Sequence, residues 1–585
     1  MDSLKDFFKN FKYLMPALGQ YKKAAYKSML FTTIETILEL LVPTIMAIII
    51  DRAISEKNLS LTVRLSILMI VVSLVCMYTG ASATRLAATT SSGFGANIRK
   101  LGFGKIQEYG FRDLEYYGAP SLITRLTSDI QQIIFSVFMG TRFIIKTLVM
   151  AIASIFLSVR VSPRLSLIFL VLVPLLLLTI LALSTKAIPT FRRYRKEFDN
   201  LNQVVQENLA NIRVVKAFVR NDFEIRKFDK QNQTMYKVID RGAGYMSFVM
   251  PLANVFMFAS LLSIIYFGGR EIIDGLIGVG ELMSFITYAM MLLGAFIGIA
   301  MVLMQMMMSS PGVVRVADII KHEPEMDLST SKEGLEVEDG SIDFENVFFR
   351  YGEEGENFAL SGINLHIKAG ETIGILGPTG SAKSSLVQLI PRLYDTTSGT
   401  VKVGGRDIKE YPLEELRDKV NIVLQKNTLF SGTIAENLRW GNPDATDEEI
   451  IEAAKIASAH DFIMERDGGY ESELGQGGVG VSGGQKQRIC IARSLLTEPK
   501  VLILDNSTSA VDTKTEAAIT QGLNKYHPGM TKIIISQRMS SFKDCDRIIV
   551  MDEGRIDGIG SHEELYATNE VYRKTYDIQE KGADE

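Results

Sequence analysis

The chain has 585 residues, 47% of them apolar, with 63 Lys and Arg against 67 Asp and Glu. That length exceeds one ordinary domain, and a net charge of −4 gives no reason to expect a nucleic-acid partner. A mean hydropathy of +0.15 is high for a wholly soluble protein, and three scattered cysteines, Cys76, Cys490 and Cys545, argue against a disulfide framework or a cysteine metal site.

The opening residues 1–25 alternate Phe, Tyr and Leu with Lys and lack a cleavable signal pattern, so they read as an amphipathic helix lying along the membrane interface. Residues 26–310 follow as a membrane domain. A helix needs about 20 apolar residues to cross a bilayer. Six runs meet that length: Tyr26–Ile50, Leu61–Arg85, Ile133–Val159, Leu165–Thr185, Tyr245–Gly268 and Gly278–Met308. The connections after the second and fourth runs are long. The latter, Lys186–Arg241, is dense in Lys and Arg, which places the long loops and both termini in the cytoplasm of a cell membrane.

Ionisable residues inside membrane spans are costly and tend to be functional. Glu35 and Glu39 lie four apart on the first span, and Arg142 and Lys146 lie four apart on the third. Each pair therefore shares a helical face, and the two pairs fall at similar depth. The expectation is that they meet, either as an ion-pair lock between helices or along a substrate path. The sixth span is rich in Met, from Met283 to Met308. Flexible thioethers suit an adaptable apolar surface, although ordinary hydrophobic filling is the simpler reading.

Ser309–Pro311 and the polar stretch Lys321–Gly340 read as a junction, giving a linker at 311–340 and a mixed α/β domain at 341–580. There Glu371–Leu376 reads as a strand, followed by Gly377, Pro378, Thr379, Gly380, Ser381, Ala382, Lys383 and Ser384, then a helix from Ser385. This is a P-loop: backbone amides and a helix N-terminus surround phosphate, Lys383 reaches the β- and γ-phosphates, and Ser384 ligates Mg2+. Ala382 departs from the pattern, where glycine is usual. Downstream the apolar strand Val501–Asp505 delivers Asp505, which can hold Mg2+ through water, and the next residue is Asn506. Between them Ser482, Gly483, Gly484 and Gln485 open a helix whose N-terminus suits a γ-phosphate.

Taken together, these motifs resemble the ATP-binding cassette (ABC) exporters, in the half-transporter layout, over essentially the whole chain. The resemblance implies a six-helix membrane domain whose helices extend into the cytoplasm, joined to an α/β P-loop domain. It implies that Tyr351 stacks on adenine, that Gln425 is the loop residue touching Mg2+ and the membrane domain, and that Asp512 lies in the loop after the Asp505 strand. It implies that Ser482–Gln485 is the signature motif, acting on a partner's ATP, and that Arg112–Tyr117 and Ala210–Lys216 lie where coupling helices lie. The cofactors are ATP and Mg2+.

The resemblance breaks at three places. Asn506 stands where the family has a catalytic Glu, Gln537 where it has a switch His, and Gln476 where a Glu is usual. A carboxamide is a poor proton acceptor, and acid–base groups contribute about 10²–10⁴ in rate. The chain is thus expected to bind Mg·ATP, to hydrolyse it very slowly alone, and to lend an intact signature motif to a second half-transporter. That partner would carry the Glu, the His and an altered signature motif. The cargo would be drugs or other amphipathic compounds, with membrane lipid as the surrounding partner. Alternatives are an ATP-gated regulatory or channel-like protein without coupled hydrolysis, a lipid or peptide exporter, and a homodimer with two crippled sites. The absence of a preceding peptidase domain speaks against export of leader-bearing peptides.

Overall fold

The computed structural model describes residues 2–352, 357–507, 510–526 and 529–581, with some side chains within 172–192, 246–253 and at both ends left out. The chain forms two compact units, Met1–Ile106 with Pro120–His322, and Gln107–Ala119 with Glu323–Glu585.

The first unit is helical. Its opening helix, Asp2–Leu14, is amphipathic, and it buries Phe7 and Leu14 among Phe94, Ile98, Val313 and Val316. Five helical stretches among the described residues are long and apolar enough to cross a membrane: Lys5–Ile54, Leu59–Gln107, Ala119–Val161, Asn254–Ile273 and Val279–Lys321. The fourth expected span, Leu165–Thr185, falls on the helix Pro163–Ala210, where many side chains lie outside the described residues. Helices of 49, 48 and 43 residues exceed roughly 60 Å, about twice the hydrocarbon thickness, so they project well beyond a bilayer.

Three boundaries differ from expectation. The Lys186–Arg241 connection is not loop but helix, through Pro163–Ala210, Ile212–Ala217 and Asn221–Ser247. The fifth span begins at Val249, after a break at Phe248, rather than at Tyr245. The junction expected at Ser309–Pro311 lies inside the helix Val279–Lys321. Ser309 and Ser310 are buried there, and the Ser136 hydroxyl donates to the Ser309 hydroxyl at 2.8 Å. Packing against a neighbouring helix outweighs the helix-breaking tendency of Pro311, and the linker starts after Lys321.

Among its described residues the second unit holds twelve strands: β1 (Ile342–Phe349), β2 (Leu360–Ile367), β3 (Thr372–Leu376), β4 (Ser398–Val403), β5 (Arg406–Asp407), β6 (Val420–Val423), β7 (Gly432–Thr433), β8 (Glu473–Leu474), β9 (Val501–Asp505), β10 (Thr531–Ile535), β11 (Arg547–Asp552) and β12 (Arg555–Gly560). An antiparallel sheet runs in the order β2-β1-β4-β5, and a larger sheet runs β12-β11-β3-β10-β9-β6. In the larger sheet β11, β3, β10, β9 and β6 are mutually parallel. Strands β3, β9 and β10 are buried at every position. That explains their continuous apolar runs, as expected for strands covered on both faces. The register aligns Ile375 with Ile535, Ile535 with Asp505, and Leu504 with Val423. The carboxyl ends of four strands thus share one edge, the edge at which open α/β sheets bind ligands.

Candidate nucleotide site

The P-loop, Gln425, Asp505, Asn506 and Gln537 sit at or just past that edge, while Tyr351 follows β1 of the smaller sheet. From β3 the chain enters Gly377–Ser384 and then the helix Lys383–Gln388. The Lys383 ammonium is buried and donates to the Gly377 and Pro378 carbonyls at 2.9 and 2.8 Å, so the lysine braces its own loop. Burial lowers its pKa, partly countered by the charge of Asp505. Gly380 takes a positive φ of 90°. Ala382 takes φ 67° and ψ 26°, the left-handed region in which a Cβ is strained. The glycine usual at this point in a P-loop has a physical reason, and here alanine adopts the glycine-like backbone.

At the end of β9, Asp505 is 2% exposed. Burial raises its pKa, while a hydrogen bond from Ser384 and the charge of Lys383 pull it down. Its Oδ1 is buried with no hydrogen-bond partner. A buried carboxylate oxygen without a donor, beside a serine hydroxyl, is a donor set that fits a hard cation such as Mg2+. Gln425 is exposed, two residues past β6. Ser384, Asp505 and Gln425 are the residues that would hold Mg2+, which when bound neutralises phosphate charge.

Asn506 follows in a left-handed conformation, φ 49°, a region asparagine tolerates better than most residues. Its N–H donates to the Ile535 carbonyl at 3.0 Å, and the Ser507 hydroxyl donates to the Val423 carbonyl at 2.7 Å. These bonds tie the position to the ends of β10 and β6. A side chain fixed here is a carboxamide, which can orient water and cannot take its proton at neutral pH.

Tyr351 is 39% exposed, with its hydroxyl 2.8 Å from that of Ser385 and its ring edge-on to Phe349 and Tyr394. Burial raises its pKa. The short helix Phe111–Tyr117 belongs to this unit: Arg112 donates to the Gly352 carbonyl at 2.7 Å and pairs with Glu325, and Tyr394 donates to Glu115 at 2.8 Å. It therefore touches the segment that carries Tyr351. Its counterpart, Ile212–Ala217, lies in the first unit and buries no residue.

The signature residues start the helix Gly483–Leu495. Ser482 caps it: the Gln485 N–H donates to its hydroxyl at 3.3 Å, and the Ser482 N–H donates to Gln485 Oε1 at 2.9 Å. Ser482 and Gly483 are exposed, leaving the helix start open to an anion. At Gly484 an added Cβ would stand 2.6 Å from the Ala510 carbonyl, so only glycine lets the segment after β9 pack here. Asp512 caps the next helix, Thr513–Tyr526, through Thr515, and those bonds lower its pKa.

Two links were not visible in the sequence. Arg538 donates to the Val511 carbonyl at 2.8 Å and to Glu516 at 3.1 Å, while Ser541 donates to Glu516 at 2.6 Å. From the C-terminal helix, Gln579 donates to the Gln537 carbonyl at 2.7 Å and accepts from the Met539 N–H at 2.9 Å. Both join segments far apart in sequence through groups with no local signature. Gln537 itself is exposed at the carboxyl end of β10.

A helical membrane unit joined to a P-loop unit of this geometry is the layout of an ATP-driven translocase. Residues 26–296 match the family of ABC transporter transmembrane regions, and residues 360–509 match the ABC transporter family. The chain is 34% identical over 563 residues to YfiB of Bacillus subtilis, an uncharacterized ABC transporter ATP-binding protein, covering 96% of this chain and 97% of that one. It is 33% identical over 575 residues to YknU of the same organism, with 97% of each covered. A Staphylococcus aureus protein described as a candidate multidrug export ATP-binding/permease protein is 31% identical over 566 residues, 96% of this chain and 98% of that one. The chain belongs to the ABC transporter family and is a half-transporter of the exporter type, a membrane protein with an ATP-binding domain.

Proposed function

We propose that this chain is one subunit of a heterodimeric ABC exporter of the cell membrane, with its termini and nucleotide domain in the cytoplasm. Its own P-loop site binds Mg·ATP and hydrolyses it slowly, and Ser482–Gln485 complete the fast site of a partner subunit. The observation that carries this reading is the pairing of Asn506 and Gln537 at adjacent strand ends. One site lacks both its base and its γ-phosphate sensor, while the exposed helix start at Ser482 keeps its full cap. A homodimer would join two slow sites. The Ile212–Ala217 tip supports a partner: Ile212, Val214, Phe218 and Val219 are all exposed around it, and such apolar patches mark interaction surfaces. The partner's own signature motif is the altered one, and it faces Lys383. The cargo is a drug or other amphipathic compound, in keeping with the description of the Staphylococcus aureus relative.

Co-purification from native membranes with the ATPase rate as readout tests the reading. Joining the partner raises turnover by on the order of 10² or more. In the complex Gly483→Asp, which puts a carboxylate at the signature helix start, abolishes that gain. A complex whose turnover is indifferent to Gly483→Asp contradicts the proposal, and ATP-dependent ion conductance without turnover would favour a channel-like protein.

A further inference from the structure

Four ionisable side chains meet inside the membrane helices, and two of them are more fully committed than the others. Glu35, 9% exposed, takes the Arg142 guanidinium at 2.6 and 2.9 Å. Arg142, 11% exposed, donates also to the hydroxyls of Thr32 and Thr84 at 3.3 and 3.2 Å. A Cβ at Gly80 would come within 3.0 Å of the Glu35 carboxylate, so the second span, Leu59–Gln107, admits that carboxylate only by lacking a side chain there. Lys146 and Glu39 are more open, at 28% and 35% exposure, and lie 2.9 Å apart. Glu39 precedes Asp51, the first charged residue after the apolar run, by twelve residues, about 18 Å of rise, which sets it deep in the hydrocarbon layer. Charged side chains at that depth face water or protein rather than acyl chains, and the Glu39 Oε2 that meets Lys146 is itself covered in this arrangement.

The cluster is not symmetric toward a charged guest. Lys146 lies between two acids, 2.9 Å from Glu39 and 3.4 Å from Glu35, and both carboxylates would repel an anion approaching it. Glu39 is the most accessible of the four, and among the described residues Lys146 is the one cation paired with it. If a cation takes that place, Lys146 can withdraw onto Glu35 and every charge keeps an opposite neighbour, whereas removing a partner without replacement would strand a buried charge.

We infer that Glu39 is the recognition point for an amphipathic organic cation, which displaces Lys146 toward Glu35. The inference rests on the exporter reading above and narrows its substrate class. The test uses the assembled exporter in proteoliposomes, with ethidium and tetraphenylphosphonium as cations, an uncharged dye and an anionic dye. In Glu39→Gln the ratio of cation to uncharged-dye transport falls at least about tenfold, and in Lys146→Met the KM for the cation is unchanged or lower. Equal losses in the two variants mean a static lock between helices and overturn the inference. A second measurement needs no variant: ethidium bound to the wild-type complex is displaced by tetraphenylphosphonium and not by the uncharged dye, and displacement by both equally overturns it. A complex that moves anionic or uncharged dyes but neither cation refutes the inference alone. If no dye of any charge is moved, or alters ATP turnover, the exporter reading itself fails.

Discussion

Replacing Ala382 by glycine relieves backbone strain without touching a phosphate-binding amide. At φ 67° and ψ 26° the alanine sits where an L-residue costs about 1–2 kcal/mol. Glycine removes that cost and gives back about 0.4–1 kcal/mol through the freer unfolded chain. The difference is a net gain of roughly 0.5–1 kcal/mol, which in a unit of this size raises Tm by about 1–4 °C. The loop already has the conformation that a glycine would supply, so Mg·ATP affinity should change less than about threefold, under roughly 0.7 kcal/mol. Scanning fluorimetry of the full-length protein, with and without Mg·ATP, gives the stability change. Equilibrium binding of a fluorescent ATP analogue gives the affinity. A lower Tm would show that the methyl group packs usefully. A tenfold gain in affinity would show that alanine distorts the cradle.

Three further outcomes follow from the same geometry. Gly484→Ala drives a methyl to about 2.6 Å from the Ala510 carbonyl, which costs about 1–3 kcal/mol as overpacking and shifts the segment that carries Asp512; Tm and the ATPase rate of the assembled exporter both fall, and an unchanged Tm refutes the close approach. The raised Asp505 carboxyl favours its protonated form, so it stabilises the Mg-free fold at acid pH and that stability is lost as pH rises through the raised value. Mg2+ needs the ionised form, so Mg·ATP affinity measured from about pH 8 to 5 weakens on the acid side, and it does so at higher pH than an ordinary aspartate near 4 would give; Asp505→Asn, which has no carboxyl to titrate, flattens that dependence. Arg142→Met leaves Glu35 with Lys146 alone at 3.4 Å, and loss of one partner from a buried pair costs about 3 kcal/mol; unfolding in detergent at wild-type temperature would deny the pair that role.

The nucleotide site was legible because each motif carries its own necessity. A P-loop needs a strand, small residues and a lysine in fixed order, and Val501–Asp505 needs to be apolar to reach the edge buried on both faces. The strand order was not legible: β10 lies between β3 and β9, a long-range pairing that no short stretch encodes. Ala382 was visible as a departure, while the left-handed backbone it occupies required coordinates. The Arg538–Glu516 and Gln579 links stayed hidden because arginine, glutamate and glutamine on a surface read as solvated. In the membrane unit, hydropathy located the spans but not their ends. Helices that continue beyond the bilayer lose their apolar run at the interface, which is why Ser309–Pro311 looked like a boundary. The two charged pairs were legible from spacing alone. Arg142 falls in the one-turn π-helix Gly140–Ile144, a local widening with no sequence signal.

The proposal of unequal sites meets its most direct test in single-turnover hydrolysis of radiolabelled ATP by the purified chain without a partner. Predicted is tight Mg-dependent retention of ATP with cleavage at least about 100-fold slower than in the assembled exporter. Cleavage by the lone chain at the rate of the complex, with Asn506 and Gln537 unaltered, would contradict it.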